Sequence, residues 1–111
     1  MTRPIPCRLL IHSAVLYQVS ENAWQSETRT ELAQLSHVRI EPASRLVVGK
    51  DNRSAEISAV LFYDCRNSRP RAVGFAEGQR VEFGGKLYRI QSVDKIYDNK
   101  ILHHLEVGLC Q

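Results

Sequence analysis

Hydrophobic and polar residues alternate along much of the chain, and the clearest alternation lies in residues 54–65. One face of that stretch is apolar throughout, whereas the other begins polar and becomes apolar at Val60 and Phe62. A period of two is typical of a β-strand, so we predict that residues 54–65 form the central strand, with the first face in the core. The apolar half of the outer face predicts a cover, which is either another part of the chain, such as a segment carrying Trp24, or another subunit.

The patterns in the first part of the chain are weaker. Residues 7–18 are apolar on both faces, which suits a doubly buried strand or a short buried helix, and the β-branched residues and preceding prolines favour the strand. Residues 20–31 are polar apart from Trp24 and predict a loop or a projecting hairpin arm. A helix over residues 27–35 is the less supported alternative.

The next segments predict a short strand and a hairpin. Residues 37–41 alternate cleanly and end at Pro42, which predicts a short, half-exposed strand. Residues 46–48 predict another, joined by a turn over residues 49–53 to the central strand.

Two tight turns are predicted in the C-terminal half. Gly84-Gly85 supplies the positive φ angles that a two-residue hairpin requires, and its register places Val81, Phe83, Tyr88 and Ile90 on one face. A turn at Asp98-Asn99 would set Asp94 opposite His103 and begin a last strand over residues 100–110. The inner face of this meander is then predicted to comprise Ile90, Ile96, Ile101, Leu105, Val107 and Leu109.

These elements predict an all-β fold. Six or seven short strands, few helix signals and no alternation of strands with helices indicate a small antiparallel β-barrel or sandwich with a projecting loop or arm. The length of 111 residues suits one domain over residues 1–111.

Composition narrows the functional class only moderately. The chain is 43% hydrophobic and 24% charged, as globular proteins are. No apolar run approaches the ~20 residues of a membrane span, and we see no secretory signal. We therefore expect a protein made in a cytosol and not associated with a membrane.

A basic segment lies directly after the central strand. Residues 66–80 contain Arg66, Arg69, Arg71 and Arg80 but only one acidic residue, Glu77, and so carry the whole formal net charge of +3. A solvated loop is the favoured interpretation, and contact with phosphate is the other. We expect this loop to be exposed and mobile, because it is rich in Arg, Gly and Pro.

The residues capable of chemistry form no recognisable active site. The chain has three cysteines, Cys7, Cys65 and Cys110. Their odd number and the lack of a C-x-x-C pair argue against a disulfide framework. Cys65 falls on the predicted core face, unlike an activated thiol. His103 and His104 are adjacent, so a regular strand would point them to opposite faces and away from a shared metal ion. We predict no catalytic, cofactor-binding or metal-binding residues.

The ordered segments carry a family resemblance. IHSAVLYQ, LSHVRIEPAS, SAVLFYDCRNSRP, RVEFGGKLYRIQSVDKIYD and KILHHLEVGLC together resemble the minor capsid protein family of tailed bacteriophages and prophages. They are similar to the small β-barrel head-closure, or stopper, proteins of head-to-tail junctions. FYDCRNSRP and LHHLEVGLC are the most specific segments, and the resemblance covers nearly the whole chain.

The resemblance implies a non-enzymatic virion protein at the head-to-tail junction, present in the bacterial cytoplasm during assembly. It implies a homo-oligomeric ring, from subunits that can be monomeric in isolation, beneath the portal and its adaptor. Such a ring retains packaged DNA and receives tail proteins. The interface candidates are then Val60, Phe62 and Trp24, and the candidates for the DNA channel or a partner contact are Arg66, Arg69, Arg71 and Arg80. The alternative is a nucleic-acid-binding barrel of the OB type.

Overall fold

The structure is a computed structural model that describes residues 3–21, 27–48, 52 and 54–111. One short 3-10 helix, Cys7–Leu9, precedes the strands. The strands are β1 (His12–Glu21), β2 (Glu27–Val48), β3 (Ser54–Asp64), β4 (Arg80–Phe83), β5 (Lys86–Asp98) and β6 (Ile101–Cys110). Within the described ranges, no helix has the length and apolar character needed to cross a membrane.

The six strands form a closed antiparallel barrel, which confirms the predicted all-β class. Their order around the barrel is β1-β2-β3-β6-β5-β4, and pairing of β1 with β4 closes it. The buried core contains Ala14, Leu16, Leu35, Val38, Ile40, Ala59, Leu61, Tyr63, Val81, Ile90, Leu105, Val107 and Leu109.

Strand β3 lies between β2 and β6, and its inner face is the predicted one. Ile57, Ala59, Leu61 and Tyr63 are all buried, whereas Ala55 and Cys65 at the two ends are only half-buried. The apolar period of two therefore predicted correctly which face of this strand enters the core.

The first part of the chain differs from the prediction in two ways. The doubly apolar segment becomes a strand only at His12, because residues 7–9 form a 3-10 turn in which the N–H of Leu10 donates to the carbonyl of Cys7 at 3.1 Å. The predicted short strands around Pro42 belong to one strand of 22 residues, and the alternative helix at residues 27–35 is wrong. Pro42 is accommodated because a register shift follows it against β3.

The Gly84-Gly85 hairpin is confirmed in detail. Their φ angles are 60° and 78°. Phe83 pairs with Lys86 and Val81 with Tyr88. The buried Val81 and Ile90 and the partly buried Phe83 and Tyr88 share the core side of the sheet.

The second C-terminal turn is close to its predicted position, but the register beyond it is wrong. Asp98 pairs with Ile101, so the two-residue loop lies one position later than expected. A bulge follows, because Tyr97 pairs with Leu102 and Ile96 with His104, leaving His103 as the extra residue on β6. The two shifts together place Asp94 opposite Glu106 rather than His103.

Three hairpins extend beyond the part of the barrel in which each strand pairs with a neighbour on both sides. Residues 18–21 and 27–30 pair only with each other, which confirms the predicted arm, although its tip lies outside the described residues. The β2–β3 and β5–β6 hairpins also run beyond the core. Ile96 and Ile101, which were predicted to face inward, are therefore exposed.

Candidate functional site

The outer face of β3 is covered in its second half by the chain itself. Val60 is only 6% exposed and Phe62 is half-buried, so of the two predicted covers the structure shows the one within the chain. Ile5 and Leu9 line a shallow apolar depression together with Phe62, Arg39 and Glu41. The cover beside Phe62 is thus residues 3–10, which we call the N-terminal segment. Trp24, the other predicted cover, lies outside the described residues.

Hydrogen bonds fix the N-terminal segment along its length. The N–H of Ile5 donates to Asp64 Oδ1 at 2.9 Å, and Asn67 Nδ2 donates to the carbonyl of Ile5 at 2.7 Å. Arg39 donates to the carbonyl of Leu9 at 3.2 Å. The segment has no strand ladder, so these side-chain contacts determine its position.

Asp64 is the central residue of this arrangement. It is fully buried, and besides Ile5 it accepts hydrogen bonds from the N–H groups of Arg66 and Asn67 through Oδ2. Its own N–H donates to Ser68 Oγ at 2.8 Å, and that hydroxyl donates to the carbonyl of His37. The alternation of β3 alone indicates no role for Asp64. An Asp followed by Asn and Ser is nevertheless a recognisable turn signal.

The predicted basic residues are only partly gathered in space. Arg66 and Arg71 are exposed, whereas Arg69 is half-buried and donates to the carbonyls of Arg66 and Ser68. Arg80 lies apart from these three, against the arm, with Nη2 3.2 Å from Glu27 Oε1.

The loop after β3 is more firmly packed than expected. Val73 and Phe75 pack against the barrel core, and Phe75 makes an edge contact with Tyr63 at a ring-centroid distance of 5.5 Å. The hydroxyl of Tyr63 donates to the carbonyl of Pro70. The expectation of an exposed loop is therefore correct for Arg66 and Arg71 but wrong for the apolar positions.

The bulge in β6 brings together two histidines that were predicted to point apart. The Nδ1 atoms of His103 and His104 are 2.8 Å from each other. His104 Nε2 lies 2.9 Å from Glu106 Oε2, and His103 Nε2 lies 2.7 Å from the carbonyl oxygen of Arg3. The prediction failed because an extra residue breaks strand alternation.

Cys65, directly after the central strand, is not arranged as a nucleophile. Burial, followed by the nearby negative charge of Asp64, raises the pKa of the Cys65 thiol above its ordinary value. An activated thiol requires the opposite shift. Cys65, like Cys7 and Cys110, is a free thiol.

Large apolar side chains are exposed at the ends of two hairpins. Leu46, at 75% exposure, and Val48 lie on the β2–β3 hairpin, and we call them the β2–β3 end cluster. The β5–β6 end cluster comprises Ile96, Tyr97 and Ile101, of which Tyr97 is 56% exposed. Leu46 and Val48 pair with Glu56 and Ser54 at the start of β3, whereas His104 pairs with Asp64 at its end. The β5–β6 end cluster lies beyond that second end, so the two clusters lie toward opposite ends of β3.

Comparison with known proteins places the chain in a family. No curated protein and no solved structure matches it. A family model described as "Minor capsid protein" matches residues 6–109, which include all six strands of the barrel except the last residue of β6. This match supports a structural role in the phage virion. The chain belongs to the minor capsid protein family.

Proposed function

We propose that this chain is a ring-forming subunit of the phage head-to-tail connector, of the head-closure or stopper type. In that role it closes the filled head, retains the packaged DNA and joins the tail. The observation that carries the proposal is the pair of exposed apolar clusters at the ends of hairpins that project from a closed barrel.

A subunit with two different exposed apolar surfaces is better suited to a ring than to a two-fold dimer. A two-fold dimer uses one patch on both subunits, whereas a ring joins one patch of a subunit to a different patch of its neighbour. The two end clusters are distinct and are separated by the length of β3, roughly 35 Å for 11 residues. Each large side chain buried at such a contact would contribute about 1.5–3 kcal/mol.

The remaining candidates have secondary places in this proposal. Phe62 becomes available to a neighbouring subunit when the N-terminal segment moves, whereas the buried Val60 does not. Trp24 remains an interface candidate on its residue type. Arg66 and Arg71 are the exposed arginines best suited to packaged DNA or to a portal, adaptor or tail protein. Arg69 and Arg80 are already engaged within the chain and contribute mainly charge.

Substitutions in the end clusters test the proposal. We expect Leu46→Asp and Tyr97→Asp to melt like the wild type, because both side chains are exposed, but to prevent assembly of the ring. Phage carrying either variant should give heads that lose DNA and lack tails. Leu87→Asp is the matched control, because Leu87 is exposed at 39% but lies outside both clusters. Normal infectious particles from both cluster variants would refute the role of these surfaces.

Retention of the purified protein on a DNA column distinguishes the proposed connector role from nucleic-acid binding by an OB-type barrel. A dedicated binder would be held on a DNA column and released steeply as salt increases, and Arg66→Ala with Arg71→Ala would abolish that retention. A connector subunit should show little retention as a monomer. Strong salt-dependent retention, combined with normal particle assembly by the cluster variants, would favour the OB-type alternative.

A further inference from the structure

We propose that His103 and His104 form a proton-dependent latch that holds the N-terminal segment against the outer face of the barrel. The latch contains three contacts in series: Arg3 carbonyl to His103, His103 to His104, and His104 to Glu106. The first contact joins positions 100 residues apart, so it attaches the beginning of the chain to its last strand.

The number of protons in the latch follows from its acceptors. A backbone carbonyl can only accept, so His103 Nε2 must carry a proton. An ionised carboxylate can only accept, so His104 Nε2 must carry one as well. The two Nδ1 atoms at 2.8 Å need one proton between them. Three ring protons are therefore required, whereas two neutral imidazoles carry two.

The complete latch thus exists only when the histidine pair has a single positive charge. Without the added proton, one of the three contacts lacks its hydrogen. With a second added proton, two N–H groups and two charges face each other at the Nδ1 atoms. The N-terminal segment is consequently held best when the pair has one added proton, and it is released both when that proton is lost and when a second is gained.

One carboxylate, that of Glu106, is paired with the two histidines. Glu106 supplies the only ion pair to the histidines in the described part of the chain, with 14% and 28% of the His104 and Glu106 side chains exposed. The other titratable or charged groups at positions paired with, bonded to or next to the histidines are Arg3 in the N-terminal segment, Tyr63 and Asp64 at the end of β3, Cys65 directly after it, and Asp94, Lys95, Tyr97 and Asp98 on β5.

Opening of the latch would uncover a hidden apolar surface. Phe62 lies beside Ile5 and Leu9, and its ring centroid is 6.3 Å from that of His104. Release of Arg3 leaves the segment held by the Asp64, Asn67 and Arg39 contacts, so its amides should exchange faster even while the barrel remains folded.

Hydrogen exchange on the full chain tests the latch directly. In a scan from about pH 5 to 9, protection of residues 3–10, corrected for intrinsic exchange, should pass through a maximum and fall by about tenfold on each side, the effect of one lost hydrogen bond. Protection of β3 should stay constant. His103→Asn should remove the maximum, whereas the control His37→Asn should retain it, because His37 is exposed and Asn tolerates its positive φ of 54°.

Two results of the exchange experiment would overturn the proposal. One is protection of residues 3–10 that does not vary with pH in the wild type. The other is an unchanged pH profile in His103→Asn. Imidazole NMR provides an independent measurement, because three ring protons on the pair are expected at the maximum and only two above it. A pair with two protons at the maximum would also refute the latch.

Discussion

The carboxylate of Asp64 accepts a hydrogen bond from the backbone N–H of Ile5 at 2.9 Å, across 59 positions of the chain. Its other oxygen accepts from Arg66 and Asn67 in the turn that follows β3. One fully buried side chain therefore holds the N-terminal segment and shapes the basic loop at the same time.

Asp64→Asn should destabilise the protein by about 3 kcal/mol, because in either orientation the amide turns its NH₂ group toward at least one backbone N–H that also donates. Urea unfolding measures this change. Asp94→Asn is the matched control, since Asp94 is exposed, and it should change stability by less than about 0.5 kcal/mol. Equal stability of the two variants would contradict the role of Asp64.

The Asp64 network shows which part of the candidate site can be predicted from sequence. The turn from Asp64 to Ser68 has a local signal, because Asp, Asn and Ser bond to nearby backbone. Its contact with Ile5 has none, because nothing local indicates which distant segment crosses the outer face of β3. The alternation of β3 correctly indicated that its outer face is covered but could not identify the cover.

Replacing both Gly84 and Gly85 by Val should lower stability by about 2 kcal/mol or more, because each position has a positive φ that costs a residue with a Cβ about 1 kcal/mol. Thermal melting measures the loss. Gly74→Ala provides the control, since a Cβ there meets no atom within 4 Å and no positive φ is required. If the double variant melted at the same temperature as the control, the positive φ angles of this turn would not limit which residues it tolerates.

The two C-terminal turns explain why one register was predictable and the other was not. At Gly84-Gly85 the residue types require one turn geometry, and the apolar pattern agrees with it. After Asp98 the loop can begin at either of two positions, and the bulge at His103 leaves no mark in the alternation. The histidine latch depends on that bulge and was consequently missed.

Alkaline pH should destabilise the protein through Tyr63. Burial raises its pKa above the ordinary value of 10.0, so the folded state favours the protonated phenol. That stabilisation is complete below pH 10 and is lost as pH rises through the folded-state pKa. Tyr63→Phe should lower stability at pH 8 by about 1 kcal/mol through loss of the hydrogen bond to Pro70, and should flatten the alkaline decline in urea unfolding.

Two controls belong with the Tyr63 experiment. Tyr97→Phe, at an exposed position, should leave the alkaline decline unchanged. The pKa of the Cys65 thiol is also raised above its ordinary value of 9.0, so its ionisation adds to the loss of stability at alkaline pH. The comparison is therefore best made in a Cys65→Ala background. An identical pH profile with and without the Tyr63 hydroxyl would show that its ionisation is not linked to folding.

Ser92 and Gly108 form a pair in which each constrains the other. Ser92 pairs with Gly108 across β5 and β6, and a Cβ at position 108 would overlap Ser92 Oγ and approach Ile57 Cδ1. Ser92 Oγ is also buried without a hydrogen-bond partner within the described part of the chain. Ser92→Ala should therefore be neutral or stabilise the protein by up to about 1 kcal/mol, because it removes an unsatisfied hydroxyl.

Gly108→Ala should destabilise the protein by about 1–3 kcal/mol, because the added methyl group overpacks the core. Adding Ser92→Gly should restore part of this loss, since the methyl group can then occupy the space that Ser92 Oγ leaves. Urea unfolding of the two single variants and the double variant gives their coupling free energy. Ser58→Ala is the control for hydroxyl removal. Because Ser58 Oγ donates to the carbonyl of Leu109 at 3.3 Å, this substitution should destabilise rather than stabilise. Additive effects of Gly108→Ala and Ser92→Gly would mean that the barrel relaxes around the methyl group and that Ser92 does not explain the glycine.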